Sequence, residues 1–158
     1  MIRISRALAL GSLVAVFGCT GSDSTGDVSA TVEATTFAAS LGVDIPNSRR
    51  TTNGAYIRDI TVGTGAVVSA GQLLNVRYTG WLSTGTQVDS NVNSSSTFPF
   101  RLGTHEVISG WDEGIPGMRV GGKRQLVIPP SLGYGANTNG PIPGNSVLVF
   151  VVEIISAQ

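Results

Sequence analysis

His105 is the chain's only histidine, and Glu106, Asp112 and Glu113 follow it closely. A histidine beside several carboxylates raises acid/base chemistry first, either a glycosidase pair or a serine hydrolase relay. The pattern supports neither. The acids fall at the start of one short predicted helix, where the helix dipole favours negative charge in any case. No Gly-x-Ser-x-Gly elbow is present to hold a nucleophile. With a single histidine and a single cysteine, neither a multi-histidine site nor the Glu/His zinc motif can be built. No metal or cofactor is expected, and His105 reads as a surface residue. Gly117, Gly122 and Lys123 match the opening of a phosphate loop, but Arg124 stands where a magnesium-holding Ser or Thr belongs. A strand pattern follows in place of the required helix, so this stretch reads as a turn between helix and strand.

The other residues able to do chemistry are aromatic: Tyr78, Phe98, Phe100, Trp111, Tyr134 and Phe150. Each could equally be ordinary core, since β-rich domains need large side chains to bury enough area. Asp89, taken alone, reads as a turn residue.

The elements that position these residues are mainly strands. Leu74, Val76 and Tyr78 alternate with Asn75, Arg77 and Thr79, the period of a half-buried strand over 74–82, which puts Tyr78 on the core side. Tyr56 to Ile60 and Lys123 to Ile128 read likewise, the latter with Leu126 and Ile128 on one face and stopped by Pro129-Pro130. Val147 to Ile155 is a nearly continuous apolar run suited to a central strand. One helix is predicted, Gly110 to Ile115, with Trp111 and Ile115 on one face and Pro116 ending it. A short helix on an antiparallel sheet is an α+β arrangement.

A length of 158 residues argues for one domain with a core of its own. Ten basic residues balance ten acidic ones and only 13% of residues are charged, so no footprint for nucleic acid is present. Arg3 and Arg6 precede an apolar run, Ala7 to Gly18, too short to span a bilayer and typical of a secretory signal. Residues 1–18 are thus expected to be a signal peptide and 19–53 a flexible tether rich in Ser, Thr, Gly and Ala, with a brief helix possible around 32–41. The folded domain is expected over 54–158. The lone Cys19 excludes an internal disulfide.

Val16-Phe17-Gly18-Cys19 resembles the lipobox of bacterial lipoproteins, apart from Phe17, which replaces a small residue. That resemblance implies cleavage before Cys19, acylation of its thiol and attachment to a membrane. The alternative is a thiol lost with a signal peptide that is simply removed. The expected location is the cell envelope, on the periplasmic side of an outer membrane, or else soluble in the periplasm or medium.

Val76-Arg77-Tyr78-Thr79-Gly80, Val88-Asp89-Ser90, Phe98-Pro99-Phe100, Glu106 to Gly114, Gly133-Tyr134-Gly135 and Leu148-Val149-Phe150 follow one another in an order that closely resembles the FKBP family of macrolide-binding prolyl isomerases. The resemblance runs from about Tyr56 to Ile155. It implies an α+β fold, with an antiparallel sheet of about five strands wrapped on one short helix. It also implies a pocket floored by Trp111 and walled by Tyr78, Phe98, Val107, Ile108, Tyr134 and Phe150, with Asp89 as polar member and Val88 and Ile142 at the rim. In the family, the amide at Ile108 and the hydroxyl at Tyr134 bind peptide carbonyls. Phe100 fits the core. The implied partners are proline-containing polypeptides and macrolides, bound by a monomer. Two departures stand out. Val88 replaces an aromatic wall residue, and 91–96 lacks the arginine that often partners the aspartate, leaving Asp89 to Tyr78 or water. A catalytically weak module that only binds proline segments is the alternative function.

Overall fold

In this computed structural model, which describes residues 30–158, the strands are β1 (Arg49–Arg50), β2 (Tyr56–Thr61), β3 (Leu73–Leu82), β4 (Gln87–Ser90), β5 (Phe98–Arg101), β6 (Lys123–Ile128) and β7 (Leu148–Ala157). They form one antiparallel sheet in the order β1-β2-β6-β7-β3-β4, with β5 also paired to β3. Among the described residues the one α-helix, α1 (Ser109–Gly114), lies between β5 and β6. The sheet has seven strands against the expected five or so. The extra ones are short: β1 has two residues, β4 and β5 four each, lengths at which period-two patterning carries little signal.

The long strand β3 organises the site. One edge pairs with β7 along its whole length, and the other is shared by β5 over Leu73 to Val76 and β4 over Thr79 to Trp81. The edge is therefore interrupted at Arg77 and Tyr78. Asn91 bridges the gap: its Oδ1 accepts the Tyr78 N–H at 2.7 Å and its Nδ2 donates to the Val76 carbonyl at 3.0 Å. On the opposite face Arg77 donates to the carbonyls of Val92 and Ser94, both at 3.0 Å, and holds the loop between β4 and β5.

The helix lies on one face of the sheet, with Trp111 and Ile115 buried among Leu74, Val76, Phe100, Leu126 and Ile128. Glycine is a poor helix former, yet Gly110 and Gly114 are both in α1. A Cβ at Gly110 would fall 2.6 Å from Ile128 Cγ2 and one at Gly114 2.8 Å from Leu126 Cδ2. The two glycines let the helix backbone rest directly on β6. Arg124, buried on that strand, donates to the carbonyls of Gly114 and Pro116 at the helix end and forms a two-pronged pair with Asp59.

The segment before β2 differs from the tether expected over 19–53. From Ala30 onward it packs on the sheet's outer face. Val32 is 2% exposed, and with Phe37, Leu41, Val43 and Ile45 it covers Tyr56, Val127, Val147 and Val149 in a second hydrophobic cluster. Glu33 accepts the Tyr56 hydroxyl at 2.7 Å, Gln125 donates to the Leu41 carbonyl at 2.7 Å, and the Ala38 N–H donates to Ser83. This cover explains why Gln125 and Val127 are as buried as Leu126 and Ile128, where sequence alternation placed only the latter pair inward. The possible helix at 32–41 reduces to a 3-10 turn at Ala39–Leu41. Cys19 and the signal residues 1–18 lie outside the described residues.

Candidate active site

One cavity of about 580 Å³ opens between β3, β4, β5, β7, the start of α1 and the loop after Tyr134. It is lined by all the residues expected there: Tyr78, Val88, Asp89, Phe98, Val107, Ile108, Trp111, Tyr134, Ile142 and Phe150. Phe100 is absent from the lining and 2% exposed, behind the floor.

Trp111 is the hub. Its ring meets Tyr78 edge-on at 5.1 Å, Phe150 at 5.5 Å, Phe100 at 5.6 Å and Phe98 at 6.3 Å between centroids. Such edge-to-face pairs each contribute about 0.5–1.5 kcal/mol beyond area burial, so the rings hold one another in place. The indole Nε1 is buried with no oxygen or nitrogen partner among the described residues. Phe150 reaches its position because Gly80 stands opposite it on β3: a Cβ there would collide with the Phe150 ring.

The polar groups are few. Tyr78 donates its hydroxyl to Asp89 Oδ2 at 2.6 Å, the partner left to Asp89 once the arginine is missing from 91–96. Burial raises the Tyr78 phenol well above the ordinary tyrosine value, and its hydrogen bond to Asp89 adds to the rise. Tyr134 is raised by burial too, with the Asp89 charge adding to it. Ile108 precedes α1 in extended conformation, and its N–H, one of the unpaired donors at a helix start, gives a hydrogen bond to no group among the described residues.

Glu106, Asn139, Gly140 and Pro141 also line the cavity and were not expected to. By sequence, Glu106 groups with Asp112 and Glu113 as acids at the start of the predicted helix. Those two do serve structure: Asp112 accepts the N–H groups of Gly103 and His105, and Glu113 accepts Asn53. Asn139-Gly140-Pro141 carries a turn signal, but which way the turn leans depends on a remote contact. The Asn145 N–H donates to Gly135 at 2.7 Å, closing the loop at its neck and leaving Ile142 7% exposed against the cavity. His105 stands apart, with its side chain 86% exposed.

A sequence profile of the FKBP-type peptidyl-prolyl cis-trans isomerases matches residues 65–155. The chain belongs to that FKBP family. The "FK506-binding protein" of Neisseria meningitidis is 44% identical over 103 residues, covering 65% of this chain and 94% of that protein. The "46 kDa FK506-binding nuclear protein" of Spodoptera frugiperda is 49% identical over 102 residues, 64% of this chain, and this chain spans only 25% of its length. Among solved structures, FkpA from Escherichia coli superposes with a TM-score of 0.65 at 35% identity, covering 71% of this chain and 52% of that one. The FKBP profile begins after β2, so the cover on the outer face lies outside the matched region.

Proposed function

We propose that the cavity takes up an X-Pro segment of a polypeptide and speeds cis/trans rotation about its peptide bond. The observation that carries this reading is the convergence of Trp111, Tyr78, Phe98, Tyr134 and Phe150 on one cavity with few polar groups. The barrier to rotation, roughly 18–20 kcal/mol, comes from amide resonance, and proline leaves both isomers populated. The twisted amide has lost its resonance and its charge separation. A dry aromatic cavity that replaces water stabilises this less polar form relative to the planar one. The Tyr134 hydroxyl and the Ile108 N–H are the donors we assign to the carbonyls flanking the bond. No proton has to move to a side chain, in keeping with two phenols held protonated.

The assay is the rate of cis-to-trans exchange in a short X-Pro peptide, with and without FK506. Acceleration that FK506 abolishes is the expected result; a folded protein that accelerates nothing overturns the reading. Val88 favours a second reading, a binding module that holds proline segments without efficient turnover, because an aliphatic residue lines the wall where the family has an aromatic one. Val88→Phe separates the two: a rise in turnover with little change in peptide affinity favours the binding module as the wild-type role.

The clients we infer are exported or envelope proteins whose folding waits on X-Pro bonds, steps of tens to hundreds of seconds uncatalysed. Arg3, Arg6, the apolar run 7–18 and the sequence ending at Cys19 support export and a lipid anchor. Among the described residues no helix is long and apolar enough to cross a membrane. Mass spectrometry of the mature N-terminus decides between acylated Cys19 and simple removal of the signal.

A further inference from the structure

The charges that line the cavity are all of one sign. Asp89 and Glu106 are its charged lining residues, and none of the others is Lys, Arg or His. Neither carboxylate joins any ion pair among the described residues. Asp89 accepts a neutral phenol, that of Tyr78. Glu106 accepts the backbone N–H of Arg101 at 2.9 Å through Oε2 and the Thr104 hydroxyl at 3.2 Å through Oε1. Hydrogen bonds from neutral donors fix the two carboxylates in place and leave their charges uncancelled.

The cations nearest in sequence are engaged elsewhere. The Arg101 guanidinium donates to the Gly71 carbonyl. Arg77 holds the carbonyls of Val92 and Ser94, and as the neighbour of Tyr78 on β3 it leaves from the opposite face of the sheet. His105 is absent from the lining, and the acid its imidazole approaches is Asp112, at 3.8 Å. The imbalance is local, because the whole chain carries ten basic and ten acidic residues. A cleft with apolar walls focuses such a field towards its mouth. Burial raises the Tyr134 phenol and the Asp89 charge adds to the rise, in line with a field that extends to the other polar wall.

We propose that Asp89 and Glu106 make this a site selective for proline segments that carry Lys or Arg next to the proline, and disfavour those that carry Asp or Glu. The proposal rests on the reading of the cavity as an X-Pro site and names the substrate class within it.

Two sets of X-Pro peptides test it, one varied only before the proline and one only after it, each with Lys, Gln or Glu. At low salt the Lys peptide of at least one set should exceed its Glu counterpart about tenfold in kcat/KM, and in affinity measured in parallel, the size of effect that unit charges exert across a partly solvated gap. The ratio should fall towards one near 1 M salt, where the screening length is only about 3 Å, while the Gln peptide changes little. Glu106→Gln should reduce the ratio, read against the Gln peptide so that any change in overall rate cancels. A Lys-to-Glu ratio within twofold in both sets overturns the proposal, and so does a larger ratio that neither salt nor Glu106→Gln alters. Should no peptide be accelerated, the isomerase reading fails and the affinity ratios alone decide the charge preference; no binding by any peptide overturns both.

Discussion

Asn91 holds the backbone of Tyr78 as a strand neighbour would, accepting its N–H at 2.7 Å where β3 has passed from one edge partner to the other. Two consequences follow from one side chain. The Tyr78 ring is fixed against Trp111, and its hydroxyl reaches Asp89. Asn91→Ala leaves the Tyr78 N–H and the Val76 carbonyl without these partners, which should cost about 1–3 kcal/mol in a denaturant melt. Peptide turnover should fall further than this loss explains, because the Tyr78–Asp89 pair loses its register; unchanged turnover in the folded variant would show that the pair is positioned by other means.

Gly80→Ala should be the most damaging small substitution near the cavity. The added methyl has to displace the Phe150 ring, since β7 is paired along the whole of β3 and the backbone has no room to part. Overpacking of this kind costs about 1–3 kcal/mol. Both stability and peptide affinity are expected to drop, and a variant with wild-type affinity would place Phe150 outside the binding surface.

The two raised phenols set a pH dependence of definite sign. In the unfolded chain a tyrosine ionises near pH 10, while Tyr78 and Tyr134 keep their protons to higher pH when folded. Their contribution to stability is therefore fully present below about pH 10 and declines as pH rises above it, because the native state then binds more protons than the unfolded one. Turnover should not respond to these two groups between about pH 6 and 9, where both stay protonated. Denaturant melts over pH 8 to 11 should show the decline, and Tyr78→Phe should make it shallower. A steeper decline in that variant would contradict the assignment.

The outer-face cover should behave as part of the fold. Val32→Ala removes two methyl groups from a fully buried position and should cost about 2 kcal/mol. A protease should spare 30–53 in the native protein; rapid cleavage there, with no stability change in Val32→Ala, would restore the picture of a tether.

Much of the site could be read from the sequence because its motifs are local. Tyr78 on an alternating strand, Trp111 on the helix predicted over Gly110 to Ile115 and the Gly133-Tyr134-Gly135 turn can each be placed from a few residues, and the order of the motifs is what suggests that they share a pocket. Glu106 could not be read this way, since a carboxylate at a helix start looks the same whether it faces a cavity or water. Asn91 was equally hidden: an asparagine after a strand signals a turn, and its role depends on β4 and β5 ending on the same edge of β3. The segment 30–53 reads as polar and weakly periodic because its apolar residues, Val32, Phe37, Leu41, Val43 and Ile45, are few, mix helical and strand spacings and are scattered among polar ones. They match the shape of a sheet face assembled from β2, β6 and β7.

By itself, then, the sequence determined the class of fold, the long strands and the helix, because alternation and helix punctuation act over short separations, and its ordered motifs carried the resemblance that implied an aromatic pocket. Tertiary structure alone decided that the sheet has a second covered face, that Asn91 completes the edge of β3, and that Asp89 and Glu106 meet in one cavity with no cation between them. Each of these depends on contacts between residues far apart in the chain, which are fixed only when the sheet closes around α1.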